Sequence, residues 1–408
     1  MIRFASAHAT HPDWRSALSL ALVQLQGSPW PASAPGAAPA SGAGPTLGFV
    51  YLSDHYAREA PALVGELQAR WPQTQWVGTV GVGVSASGVE YFDEPALSLL
   101  LTDLPPSQWR VFSGRAPLAA GGPFQPAAAL VHAEGRTPEL AALVEDLSRR
   151  TSSGFLFGGL VASRGAGWQI GNGVFEGGLS GVAFGPDVPM ISRVTQGCQP
   201  IGPTRRITAA REHVVLELDG EPAFDVLLAD LGIRDETPAV LLPRLHGTLA
   251  GLTPAPESTA TGDGAGPRSR PGPFGPDTLV RHLIGVDPRL RAVAVAHPVE
   301  PGVQLAFCRR DPQAARRDLV RICTELRDAV ESGEAAGEGA RIAGALYISC
   351  AGRGGPHFGA PSAELQIVQH ALGDVPLAGF FAGGEIAHHH VLGYTGVLTA
   401  FLDPGTGP

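Results

Sequence analysis

The chain has 408 residues and a formal net charge of −9, and its 29 basic residues are all arginine. The absence of lysine excludes pyridoxal-phosphate Schiff bases, P-loop nucleotide hydrolases and protein kinases, each of which needs a lysine at the reacting or phosphate-binding position. Hydrophobic residues make up 44% and charged residues 16%, which suits a globular chain with a real core and argues against binding along a phosphate backbone.

The length gives an expectation of two to three domains of about 150 residues each. In chain order, Phe4–His8 reads as a strand and Asp13–Leu25 as a helix, followed by Leu47–Leu52 as a buried strand and Arg58–Arg70 as an amphipathic helix. Trp76–Val84 is a Gly-rich strand and Ala96–Thr102 another strand. A similar order returns, with a strand at Ala127–His132, a helix at Pro138–Arg149 and strands at Phe155–Ser163 and Leu179–Phe184. It returns once more with a strand at Val303–Cys308, a helix at Ala314–Val330, a strand at Ala345–Ser349, a helix at Ala363–Leu372, and strands at Leu377–Ile386 and Val397–Phe401.

The Gly-rich strands at Val77–Val84, Leu156–Ala162 and Ala378–Ile386 can be laid beside one another, each followed by a second apolar strand. Internal repetition is one reading of this pattern, and coincidence in a Gly-rich chain is the other. The segments 27–45 and 254–276 are rich in Pro, Gly, Ala and Ser and read as flexible loops, because they hold too little apolar surface to offset their ordering entropy. The segment 332–339 is a weak spot after a helix.

No apolar run approaches the roughly 18 residues of a membrane span, and the first residues lack the basic head and apolar core of a secretion signal. The four cysteines Cys198, Cys308, Cys323 and Cys350 lie far apart with no metal-binding spacing. A cytoplasmic protein with reduced thiols is expected. No lysine and a single asparagine, Asn172, fit a GC-rich coding sequence.

Cys350 lies where the strand Tyr347-Ile-Ser-Cys350 meets a Gly-rich turn containing Arg353. A thiol beside a cation or a helix start is a candidate nucleophile or part of an anion cradle; a small buried residue at a strand end is the plainer reading. Glu385 sits in an otherwise apolar strand and needs a ligand or a partner, for which Arg353 is a candidate. His388, His389 and His390 form a run in which the first and third would share one face of a strand and could chelate a metal, or else form a polar turn. The glycines at 78–83 are not followed by a helix start, which rules out a dinucleotide fingerprint. A nucleophile elbow and a zinc-protease motif are both absent.

These segments resemble the FIST domain family. The resemblance is carried by the Cys-x-x-Arg turn at Cys350 and Arg353, Glu364, the run Pro376-Leu-Ala-Gly-Phe-Phe-Ala-Gly-Gly-Glu-Ile386, and Tyr394-Thr-Gly-Val-Leu398. Phe157-Gly-Gly159, Gln196–Gly202 and Leu216–Ala223 are similar to the junction between the family's two parts. Where the family often carries Gly-Cys-Ser-x-x-Gly, this chain reads Gly78-Thr-Val-Gly-Val-Gly83, so a role for that cysteine does not carry over.

The resemblance implies an N-terminal part over 1–205 and a C-terminal part over 206–408. The expected fold is α/β (α+β), a two-part sandwich of mixed or antiparallel sheets flanked by helices, with repeated strand-helix-strand-helix-strand-strand units; one continuous sheet shared by both parts is the alternative. It also implies a stand-alone sensory protein that binds a small-molecule ligand, an amino acid among the candidates, with no cofactor, nucleic acid or membrane span, and a signalling protein as its partner. Cys350, Arg353, Glu364, Gly384 and Glu385 are the expected ligand-binding residues. In that reading Arg353 meets a carboxylate with its forked donors and Glu385 meets an ammonium. The competing readings are an enzyme using Cys350 with His357 or His390 as base, and a protein-partner scaffold.

Overall fold

The computed structural model describes residues 2–30, 44–119, 121–234, 237–254 and 278–405. Most of the two Pro/Gly-rich segments, residues 31–43 and 255–276, lies outside the described residues. The chain divides into two compact units, one made of Met1–Thr195 with Arg316–Pro408 and the other of Gln196–Ala315.

In chain order the elements begin with β1 (Phe4–Thr10) and α1 (Trp14–Gln24), followed by β2 (Leu47–Ser53), α2 (Ala60–Arg70), β3 (Gln75–Gly81), the hairpin β4 (Gly83–Ala86) and β5 (Val89–Phe92), and β6 (Ala96–Thr102). Next come β7 (Trp109–Ser113), β8 (Ala128–Ala133), α3 (Leu140–Arg149), β9 (Phe155–Leu160), the hairpin β10 (Gln169–Gly171) and β11 (Val174–Phe175), β12 (Leu179–Phe184) and β13 (Met190–Gln196). The second unit holds β14 (Cys198–Pro200), β15 (Arg205–Arg211), β16 (Val214–Leu218), β17 (Glu221–Pro222), α4 (Ala223–Leu231), α5 (Pro238–His246), β18 (Thr248–Thr253), β19 (Leu279–Asp287), β20 (Ala292–Val295) and β21 (Gln304–Arg310). The chain ends with α6 (Pro312–Glu331), β22 (Arg341–Cys350), α7 (Ala363–Leu372), β23 (Leu377–Ala382), the hairpin β24 (Glu385–Ala387) and β25 (His390–Leu392), and β26 (Thr395–Asp403).

The first unit is three copies of one motif. Sheet I runs β1-β6-β2-β3-β10-β11, sheet II runs β7-β12-β8-β9-β24-β25, and sheet III runs β13-β26-β22-β23-β4-β5. In each, the strands before and after the helix pair in parallel, and the closing strand pairs antiparallel beside the first. The hairpin of each repeat leaves its own sheet and extends the next one. The first repeat lends β4–β5 to sheet III, the second lends β10–β11 to sheet I, and the third lends β24–β25 to sheet II. Sheets II and III therefore combine strands from before residue 205 with strands from after 206. The repetition read in the Gly-rich strands is real, but Trp76–Val84 and Leu377–Ile386 are each two strands rather than one, broken where the chain passes from sheet to sheet.

One glycine recurs at the crossing. Gly78, Gly158 and Gly379 pair with Val50, Val131 and Tyr347. A Cβ at these glycines would lie 1.7, 1.9 and 1.7 Å from the carbonyl oxygens of those partners. The backbones approach so closely that no side chain fits.

The core sits where the three sheets face one another. Tyr51 of sheet I, His132 of sheet II and Phe380 of sheet III form a triangle of rings with centroids 5.2, 5.6 and 5.7 Å apart. Burial holds His132 neutral, pushing its pKa down to about 3. Helices cover the outer faces, where Leu63, Val64 and Leu67 of α2 pack in one buried cluster and Val144 and Leu147 of α3 in another. These positions follow the helical period that the sequence displays.

The second unit is built on a closed circuit of antiparallel strands, β21-β15-β16-β20-β19-β18 and back to β21. Closure leaves no open edge in the circuit. Ile207, Val215, Leu218, Val293 and Phe307 are fully buried in it.

Candidate functional site

β22 delivers Tyr347, Ser349 and Cys350 to the start of a turn, closed by the Arg353 N–H donating to the Cys350 carbonyl at 2.7 Å. Tyr347 and Ser349 are two residues apart in a strand and so face the same way. Both reach Glu364 in the first turn of α7. The Tyr347 hydroxyl donates to its Oε1 at 2.6 Å, and Ser349 Oγ lies 3.1 Å from both carboxylate oxygens. Arg353 donates to the same Oε1 from Nε at 3.0 Å and Nη2 at 2.8 Å. Arg353 is 1% exposed and Glu364 0%. An ion pair taken fully out of water needs this density of hydrogen bonds to offset its desolvation.

A second carboxylate closes the network from another repeat. Ser362 gives α7 no side-chain cap. Instead Glu90 of β5 accepts from the N–H groups of Glu364 at 2.9 Å and Leu365 at 3.2 Å, satisfying donors that a helix start leaves unpaired. Burial, then the neighbouring Glu364, raise the Glu90 pKa to about 7.

Glu385 opens β24 and is completely buried. Its Oε2 accepts from the Thr395 N–H at 3.1 Å and hydroxyl at 2.6 Å. Burial pushes its pKa up to about 8, against the hydrogen bonds from Thr395 and the charge of Arg353. The Arg353 guanidinium is disfavoured by burial, but the charge of Glu364 outweighs this and keeps it firmly protonated. Two polar atoms in this region, Arg353 Nη1 and Glu385 Oε1, are buried without a close hydrogen-bond partner among the described residues, and the Cys350 thiol is near enough to favour the Glu385 carboxylate weakly.

The structure gathers Cys350, Arg353 and Glu364 around one turn, with Glu385 close enough to act electrostatically on both Cys350 and Arg353. The ion-pair partner of Arg353 is Glu364 and not Glu385. Gly384 contributes backbone, its carbonyl accepting from the Leu160 N–H at 2.7 Å. Burial, then the charge of Glu385, push the Cys350 thiol up to about 12, the reverse of an activated nucleophile.

His388 and His389 form the turn of the β24–β25 hairpin, since Ala387 pairs with His390. His388 and His390 therefore do not sit on one strand face as a chelating pair, and no group of three or more metal-ligating side chains occurs among the described residues. Sequence reading missed Glu90, Tyr347, Ser349 and Thr395. The alternation of Tyr347 and Ser349 ahead of Cys350 was a usable signal; Glu90, 274 residues from its contact, gave none.

The buried polar set belongs to one junction of three, the charges at the matching strand ends of the other two being ion pairs with partly or largely exposed arginines. The positions of Tyr347 and Ser349 correspond to Val50 and Leu52 in the first repeat and to Val131 and Ala133 in the second, aligned on the crossing glycines. The position of Glu385 is held by Val84 and Gln169. The fold is thus built twice without the acid.

A three-repeat α/β protein with a fully buried ion pair at one of its junctions is the class that fold and site define. The FIST N domain matches residues 46–221 and the FIST C domain residues 223–388, and the chain belongs to this family. FIST domains are generally described as sensory, signal-transduction domains. An uncharacterized protein of Mycobacterium tuberculosis is 30% identical over 382 residues, covering 89% of this chain and 93% of its own length. An uncharacterized protein of Mycobacterium bovis is 31% identical over 235 residues, 56% of this chain and 55% of its own. No helix among the described residues is long and apolar enough to cross a membrane.

Proposed function

We propose that the protein is a sensor whose small-molecule ligand binds at the β22–α7 turn and the start of β24. One observation carries this reading: at the junction that holds the fully buried Arg353–Glu364 pair, a guanidinium nitrogen and a carboxylate oxygen are both buried, the first with no hydrogen-bond partner and the second with at most the weak Cys350 thiol beside it. Buried polar atoms cost about 1–3 kcal/mol each when unsatisfied, and more when charged. A zwitterion such as an amino acid would satisfy both, its carboxylate on Arg353 Nη1 and its ammonium on Glu385 Oε1. Glu364 positions Arg353, and Glu90 holds the helix that carries Glu364, while Gly384 holds the backbone beside Glu385 in place. Entry requires local opening around the site, because Arg353 and Glu385 are buried.

The experiment is a thermal-shift screen of the intact protein against the common amino acids. A binder should raise Tm by several degrees at concentrations well above its Kd, and Glu385→Gln, which keeps the shape and the acceptor for Thr395, should abolish the rise. Failure of every amino acid to stabilise the wild-type protein would overturn the reading.

A further inference from the structure

The second unit holds a separate cleft of about 490 Å3, within the range of small-ligand sites. It lies over one row of the sheet, Gln199–Arg309–Thr248, where β21 runs between β14 and β18, and it is walled by the ends of α4 and α5.

Its charge is uneven. Asp230 is already neutralised, because Arg205 grips it with Nη1 at 2.7 Å and Nη2 at 2.9 Å, leaving its side chain 5% exposed. Gly202 packs against this carboxylate so tightly that a Cβ there would lie 2.2 Å from it. Arg244 and Arg309 also line the cleft, and neither has an ion-pair partner among the described residues. The two helix C-termini oppose an anion with about half a unit of partial charge each. Two full guanidinium charges exceed that, and the balance stays positive.

We propose that this cleft binds a small anion carrying two or more negative charges on carboxylate or phosphate oxygens. Arg244 and Arg309 are the recognising residues, since guanidinium forks match the paired oxygens of either group. The Arg205–Asp230 pair is a positioning element: it fixes the end of α4 in the cleft wall and keeps the acid from repelling the ligand. The site is independent of the β22–α7 turn.

The test is isothermal titration of the full chain with inorganic pyrophosphate and, separately, with citrate. At least one probe should bind. Arg309→Gln and Arg244→Gln should each weaken it at least about ten-fold, which is about 1.4 kcal/mol. Arg206→Gln, an exposed arginine away from the cleft, should leave it unchanged. Binding of pyrophosphate alone supports the proposal with a phosphate ligand, and of citrate alone with a carboxylate one. No binding of either probe overturns it, as does equal weakening in the Arg206 variant or undiminished binding in Arg309→Gln.

Discussion

Among the described residues Arg353 and Glu364 form the most deeply buried ion pair, so breaking it from one side strands a charge. Arg353→Ala should cost about 3–5 kcal/mol of unfolding free energy, read from urea denaturation. Adding Glu364→Gln should recover part of the loss, because the abandoned carboxylate is then neutral and still accepts from Tyr347 and Ser349. The two raised acids predict a pH dependence of definite sign. Glu90 titrates near 7 and Glu385 near 8 in the folded protein, against 4.5 as the ordinary value. The fold therefore holds these protons more tightly than the unfolded chain does. Their contribution is full below about 4.5 and is lost as pH rises through 7 and 8. Glu385→Gln should flatten the fall in stability across that window, and a slope unchanged from wild type would contradict the assignment. Cys350, Arg353 and Glu385 were legible in the sequence because a strand end, a Gly-rich turn and an acid in an apolar run are local signals. The pairing of Arg353 with Glu364 was not, since side-chain direction in a turn is set by packing.

At the scale of elements, strands with continuous apolar runs, such as Ala96–Thr102 and Leu179–Phe184, were readable to the residue because both faces are buried and the composition changes sharply at their ends. The exchanged hairpins were not. In the first and third repeats their first strands continue the apolar run of the strand before, and in the second the hairpin is too short, three residues and two, to stand out from the loop that precedes it. The short strands between 196 and 295 were missed as well, since many of their residues are half-exposed and polar. The crossing glycines lead to a direct comparison. Gly78→Ala, Gly158→Ala and Gly379→Ala should each cost several kcal/mol or prevent folding, as a methyl group must displace a strand backbone. Gly65→Ala, on the exposed side of α2 with open space around it, should stabilise by about 0.5–1 kcal/mol through helix propensity. Thermal melts of the four variants check both signs.

At the scale of the whole molecule, the exchange of hairpins closes a cycle: each sheet is completed by a repeat other than its own. A fragment of residues 1–222 has no partner for β4–β5, and β9 has no neighbour on one side, because β23 and β24 lie beyond it. That fragment is expected to be unfolded by circular dichroism and to regain structure when expressed with residues 223–408. A stable, cooperatively melting 1–222 fragment would show that the cycle is dispensable. The same topology bears on synthesis. As the chain leaves the ribosome, its early hairpin must wait for the strand at Leu377–Ala382 before it has a sheet to join. Until then sheet I has all its strands but lacks the sheet III it packs against, and two apolar β segments remain unmatched, which is the condition under which nascent chains aggregate or are held by chaperones. The topology thus predicts that the yield of this protein in a cell depends on how long its first half stays soluble while the last repeat is still being translated.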